Sequence, residues 1–301
     1  MDTNNTLYTV GLGEILWDIL DNGKKLGGAP ANFAYHAKNL GLNSCVVSAV
    51  GNDESGDEII RQLAEKQLPA HLERTAAPTG SVTVALDADG VPRYDIRSNV
   101  AWDEIPFNEA VGRIARNCRA VCFGSLAQRS EKTRLTIRRF LESMPTTDGP
   151  VYKIYDINLR QNFFSARIID ESLRLCNILK INEDEAEIIR QLFDLPTQRP
   201  EELCRTLLGT YGLQTVILTC GSAGSHVVTS AMHSYIPTPR ITVADTIGAG
   251  DSFTAAFLAG LLHGLPLREV HRLAVDVSAY VCTQYGAMPA LPDELVRRLS
   301  H

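Results

Sequence analysis

Along most of this chain, short apolar runs of strand length alternate with amphipathic segments of helical period, and this alternation limits the possible folds most tightly. Leu7 to Leu16 reads as a strand, and Pro30 to Leu40 as a helix with Phe33, Ala37 and Leu40 on one face. Ser44 to Val50 is strand-like again, and the helix after it turns Ile59, Ile60 and Leu63 inward. Further strands are expected at Ala120 to Gly124, Val151 to Ile157, Ile178 to Ile181 and Thr215 to Thr219. Helices fall around 108–117, 130–143, 184–193 and 200–211. Apolar strands joined through helices form a parallel sheet covered on both faces, an α/β/α sandwich. The 301 residues fit one large domain of this kind, or a domain with a small appendage.

One stretch departs from the rhythm. Ser81-Val-Thr-Val-Ala-Leu86 and Val91 to Ile96 alternate with period two and flank Asp87-Ala-Asp-Gly90, a hairpin signal. A hairpin with no helix between its strands cannot belong to the parallel sheet. With an entry strand near Glu14 to Leu20 it predicts a small projecting β-sheet, contributed by about 13–27 and 80–103. A sheet over the ends of the parallel strands is a natural lid.

Several function classes are disfavoured. A formal net charge of −6 argues against a nucleic-acid partner, which usually needs a basic stripe. The seven cysteines are scattered and form no Cys-x-x-Cys pair, as expected for reduced, buried thiols in a cytosolic protein. The first residues lack the basic start and apolar core of a signal peptide, and no apolar run approaches the roughly 20 residues of a membrane span. A soluble, cytoplasmic protein with no membrane partner is expected. Gly11-Leu-Gly13 suggests a dinucleotide fold, but the required third glycine is Leu16. No P-loop motif and no His-x-x-x-His pair occurs.

The strongest chemical signal is Asp245-Thr-Ile-Gly-Ala-Gly-Asp251, followed by an apolar helix from Ser252 to Leu262. Gly248 and Gly250 let the backbone pass close to a ligand and turn its N–H groups into one concavity. The first turn of a helix has unpaired N–H groups and a partial positive charge, so the place suits phosphate. Asp251 there could be a helix cap. Beside a phosphate, however, a carboxylate is useful if it accepts the proton of an attacking hydroxyl. Asp251 is therefore the candidate general base. The N–H groups of Gly248, Ala249 and Gly250 would stabilise charge on the transferring phosphoryl group.

This segment resembles the C-terminal signature of the ribokinase-like (PfkB) carbohydrate kinases. Gly27-Gly-Ala-Pro-Ala-Asn-Phe-Ala34, with Gly41 and Gly51, resembles their N-terminal signature. The likeness runs from about residue 8 to about 292. It implies a ribokinase-like Rossmann-type three-layer α/β/α fold with a β-sheet lid, transfer from ATP, and Mg²⁺. Asn182-Glu-Asp-Glu185 resembles the family's Asn-x-x-Glu motif, which would place Asn182 and Glu185 on Mg²⁺ through water. Read alone, the same residues form a helix cap and a capping box. Thr219-Cys-Gly-Ser-Ala-Gly224 resembles the turn lining the nucleotide site, which implicates Thr219, Gly221 and Gly224 with Gly250.

On the sugar side the resemblance assigns hydroxyl recognition to Asp18, Gly28 and Asn32, groups that suit vicinal hydroxyls. Asp156-Ile-Asn-Leu-Arg160 resembles an element of the fructokinase-like branch, with Arg160 meeting a phosphate oxygen or a substrate carboxylate. Trp102 is expected to add an apolar wall. The resemblance also implies a monovalent cation such as K⁺ at the backbone oxygens of Asp245 and Ile247, near Val281 to Gly286. It further implies a homodimer paired through the lids. The leading substrate is D-fructose, giving fructose 6-phosphate. 2-Keto-3-deoxygluconate follows, then ribose or a nucleoside, and a catalytically silent sugar-binding protein is the alternative of a different class.

Overall fold

The computed structural model describes residues 8–20, 23–86, 92–146, 149–197 and 199–299. The chain opens with β1 (Tyr8–Leu12), whose residues are nearly all buried. The first strand, expected to run to Leu16, ends at Leu12, because the chain turns at Gly13 (φ 147°) before β2 (Leu16–Leu20), the entry strand expected near Glu14 to Leu20. That conformation is open to glycine and strained for other residues. It carries the chain out of the main sheet into a smaller one, continued by β3 (Gly23–Gly27). Helix α1 (Ala29–Asn39) follows, then β4 (Ser44–Gly51), α2 (Glu54–Glu65) and β5 (Ala70–Thr75). In α2, Ile59 and Leu63 are buried one turn apart, whereas Ile60, expected inside, is 39% exposed. One residue along a helix rotates a side chain by about 100°, which carries Ile60 off the buried face.

The hairpin is β6 (Gly80–Leu86) and β7 (Pro92–Ile96), antiparallel with Val82 opposite Ile96. Its turn at 87–91 lies outside the described residues, as does Leu7. β6 pairs in parallel with β2, giving the four-stranded order β3-β2-β6-β7. The rest of the chain returns to the alternation with α3 (Glu109–Arg116), β8 (Cys118–Phe123), α4 (Glu131–Ser143) and β9 (Tyr152–Asp156). After α5 (Ala166–Leu175) come β10 (Ile178–Asn182), α6 (Glu183–Leu192), α7 (Pro200–Tyr211) and β11 (Thr215–Cys220). An antiparallel pair, β12 (Gly224–Val228) and β13 (His233–Ile236), then closes the sheet. Helices α8 (Ala249–Leu262), α9 (Leu267–Cys282) and α10 (Asp293–Arg297) end the chain.

Among the described residues the main sheet has the order β13-β12-β11-β10-β9-β8-β1-β4-β5. Every pair from β5 to β11 is parallel. One face packs on α3 to α7 through residues such as Val111, Phe140, Leu173, Ile189 and Leu207. The other packs on α1, α8 and α9 through Phe33, Phe257 and Leu273. The parallel strands β1, β9, β10 and β11 all deliver their carboxyl ends to one rim, beside the start of α8 and under the small sheet. Ligand crevices of open α/β sheets form at such a rim.

Candidate active site

A cleft of about 650 Å³ opens at this rim. Main-sheet strand ends supply Glu14, Asp156, Asn182 and Thr219, and the small sheet supplies Leu16, Asp18, Val82 and Ile96. Helix starts supply Asn32, Gly248, Gly250 and Asp251.

Helix α8 begins at Ala249 with Gly248 as its cap, in the left-handed conformation (φ 78°) and with no side chain capping it. Gly248 must be glycine for a second reason, since a Cβ there would stand 2.6 Å from the Ala287 carbonyl oxygen. The N–H groups of Gly250 and Asp251 have no acceptor among the described residues, so they remain available to an anion. The Ala249 N–H, expected to share that task, donates to the Thr246 carbonyl at 3.3 Å instead.

Asp251 is therefore not the helix cap. It lies in the first turn, and its Oδ2 accepts a hydrogen bond of 2.8 Å from Asn32 Nδ2 on α1. Burial pushes its carboxyl up to about 6, and the charge of Asp156 adds to this. The Asn32 hydrogen bond, Lys180 and Arg160 pull the other way. A carboxylate poised near neutrality and aimed into a cleft has the character of a proton acceptor.

Two residues of this centre had drawn no reading from the sequence. Lys180 lies in mid-strand on β10, buried, with Nζ 3.0 Å from Asp156 Oδ1. Burial works against its charge, but Asp156, Glu185 and Asp251 together outweigh burial and hold its pKa above the ordinary lysine value. A Cβ on Gly250 would come within 2.7 Å of Nζ, so this fixed positive charge stands directly beside the α8 loop. Asp156 is completed by Thr254 Oγ1, which donates to Oδ2 at 3.0 Å. Glu14 is 2% exposed, and its Oε2 has no hydrogen-bond partner. Burial lifts its carboxyl to about 7, opposed by its own backbone N–H and raised further by Asp251. A lysine inside the apolar run Ile178-Leu-Lys-Ile181, and an acid inside Val10 to Trp17, were the available signals.

Of the residues expected to meet a sugar, Asp18, Gly28, Asn32 and Arg160 all line the cleft. Asp18 is pushed up to about 6 by burial, against the pull of Arg160 and Lys25. Asn32 Oδ1 is buried without a partner, as is Glu14 Oε2. Unsatisfied acceptors in a concave site invite a ligand rich in hydroxyl donors. Trp102 is corrected: it is fully buried in the core with its ring 3.9 Å from the Arg129 guanidinium, and it does not line the cleft. So large an indole gains more from the core than from a wet wall. Leu16, Val82, Ile96 and Leu126 form the apolar wall instead.

On the opposite side Asn182 and Glu185 line the cleft and also make a reciprocal cap of α6. Asn182 Oδ1 accepts from Glu185 N at 2.9 Å, and Glu185 Oε2 from Asn182 N at 2.9 Å. Glu185 Oε1 accepts from Leu159 N at 3.0 Å. Burial raises its carboxyl, with Lys180 opposing. Thr219 lines the cleft, whereas Gly221 and Gly224 form the turn between β11 and β12 beyond it. Ile247 lines it too. Asp245 does not, and ties two loops by accepting from Ile247 N and Gly286 N, both at 3.0 Å.

Residues 18–294 match the model of the pfkB family carbohydrate kinases. A fructokinase of Klebsiella pneumoniae is 30% identical over 315 residues, covering 96% of this chain and 98% of its own. An ATP-dependent 6-phosphofructokinase of Thermoanaerobacterium thermosaccharolyticum is 29% identical, covering 90% of this chain and 83% of its own. Among solved structures, an uncharacterized sugar kinase of Pyrococcus horikoshii in complex with ATP superposes with a TM-score of 0.80 at 25% identity. That match spans 97% of this chain and all of the other. No helix of the described residues is long and apolar enough to cross a membrane.

Proposed function

The chain belongs to the pfkB family of carbohydrate kinases, and from that premise we propose that it transfers the γ-phosphate of ATP to a hydroxyl of a neutral sugar, D-fructose first. The observation that carries the reading is Asp251, raised toward neutrality and anchored by Asn32, beside the free N–H groups that open α8.

The sugar lies under the small sheet, its hydroxyls held by the Asp18 carboxylate and the Asn32 amide, beside the buried Glu14. ATP lies along Thr219 and the Gly248 loop. Asp251 takes the proton of the attacking hydroxyl as its oxygen forms the bond to the γ-phosphorus and the bond to the ADP oxygen breaks. The N–H groups of Gly250 and Asp251, with Lys180, stabilise the charge on the transferring group. Asn182 and Glu185 offer hard oxygens suited to Mg²⁺ through its waters, and a buried carboxylate raised by burial gains from a nearby cation. Bound there, Mg²⁺ would neutralise charge on the β- and γ-phosphates. The carbonyl oxygens of Asp245 and Ile247 remain the place for K⁺ in this reading. Buried, free thiols suit a reducing compartment such as the cytoplasm.

Arg160 favours a second reading, an acidic acceptor such as 2-keto-3-deoxygluconate. Its guanidinium donates to the Leu159 carbonyl at 3.0 Å. The charge favours the ionised forms of Asp18, Glu14 and Asp251 in the same cleft, acids that would repel a substrate carboxylate, so a neutral sugar is read first. The test is ADP release with Mg·ATP against fructose, 2-keto-3-deoxygluconate, ribose and adenosine, with K⁺ present. Turnover on fructose is expected, and Asp251→Asn should lower kcat by roughly 10²- to 10⁴-fold. Preferred turnover on the sugar acid would move the assignment to the second reading. Sugar binding without turnover on any substrate would leave a silent binding protein.

A further inference from the structure

Helix α1 reaches the anion cradle twice. Asn32 holds Asp251, and His36, four residues on and so on the same face, makes a separate long-range contact. His36 is fully buried, and its Nε2 lies 2.8 Å from the carbonyl oxygen of Ala287. A carbonyl only accepts, so Nε2 carries the proton and Nδ1 is bare, in keeping with Nδ1 having no partner. Burial holds the imidazole down at about 4, so it is the neutral ring that makes this bond near pH 7.

Ala287 matters because of what it touches. Its carbonyl oxygen, Cα and Cβ would stand 2.6, 2.8 and 2.9 Å from a Cβ on Gly248, so its backbone is in direct contact with the cap of α8. The neighbouring residue of the same turn, Gly286, donates its N–H to Asp245 Oδ2 at 3.0 Å. The turn behind Gly248 is thus gripped from two sides, by Asp245 and by His36.

We infer that His36 is a positioning residue of the phosphate cradle, acting through the Ala287 carbonyl to fix the Gly248 turn and the N–H groups that follow it. The inference rests on the proposed kinase reading for its consequence, but not for its structural part. α1 then sets both reacting sides: Asn32 aims the acid that takes the proton, and His36 holds the loop that receives the phosphate. Loss of the second grip should blur the cradle while leaving the sugar groups in place.

His36→Gln and His36→Asn separate the donor from mere filling of space. Gln can place its amide near the position of Nε2, whereas Asn places it near Nδ1, short of Ala287. Amide hydrogen exchange of the segment 245–252, read in the free protein, should quicken in His36→Asn and return toward the wild-type rate in His36→Gln. With the sugar that the panel identifies, kcat/KM for Mg·ATP should fall roughly 10- to 100-fold in His36→Asn. The sugar KM should move less than about twofold, since sugar contacts unchanged between the ground and transition states are untouched. Exchange and kinetics of His36→Asn equal to wild type would overturn the inference, and so would equal loss in both variants. The exchange measurement needs neither sugar nor nucleotide, so it decides the role of His36 even if no sugar is turned over.

Discussion

Asp251 carries a penalty shared with the other buried acids of the cleft, because burial and Asp156 both disfavour its charged form. Two consequences follow at the scale of this residue. A general base must be ionised, so kcat/KM should fall as pH drops below about 6. For stability, a folded pKa raised to about 6 from 3.8 makes a contribution that is complete below the unfolded value and lost as pH rises through the folded one. Asp251→Asn, which resembles the protonated acid, should therefore melt a few degrees higher than wild type at pH 8, with the gain gone by about pH 4. Calorimetric melts of the two proteins across that range decide it, and an Asn variant less stable at pH 8 would refute the sign. The identity of this acid was legible in the sequence, because Gly-x-Gly before an acid is uneconomical as a simple cap. Its pKa was not, since Asp156 and Asn32 lie 95 and 219 positions away and meet it only in the fold.

At the scale of elements, the opening of α8 depends on a left-handed cap pressed against Ala287. Gly248→Ala should cost about 1–3 kcal/mol in urea denaturation, the range for a non-glycine residue held in strained backbone. It should also lower kcat far more than a surface glycine replacement would, because the Cβ contact with the Ala287 oxygen displaces the cradle. Unchanged stability and turnover would mean the loop relaxes freely. The elements themselves were largely readable: β1, β4, β8, β9, β10 and β11 are apolar runs buried between layers of helices. β3, β5 and β13, at sheet edges, were not, because edge strands such as Ala70–Thr75 mix polar side chains with few apolar ones. The strand of the small sheet near Glu14 to Leu20 was legible, but the end of β1 was placed too late, at Leu16, since the apolar run continues through the Gly13 turn.

At the scale of the whole molecule, Arg129, in the connection after β8, ties the main domain to the end of the small sheet. Its guanidinium makes two hydrogen bonds to Asp103, at 2.8 and 2.9 Å, and a third to the Arg97 carbonyl at the end of β7. It also lies over the rings of Trp102 and Phe163. Arg129→Met would leave the buried Asp103 carboxylate without its partner, at a cost of about 3–5 kcal/mol in urea denaturation. If the small sheet acts as a lid, the same change should raise the sugar KM and the ATP hydrolysis that occurs without sugar. A variant as stable and as tightly coupled as wild type would show that the sheets are held elsewhere. The sequence by itself determined the α/β class, the extra hairpin, and the glycine turn that opens α8 with the acid after it, because each depends on local periodicity or on residues within a few positions. Only the tertiary structure decided that Lys180 faces Gly250, that Glu14 buries an unpaired oxygen at the wall of the cleft, that Trp102 belongs to the core, and that His36 reaches Ala287. Those facts depend on which strand ends and helix faces meet across the fold, and burial and electrostatic coupling exist only once they have met.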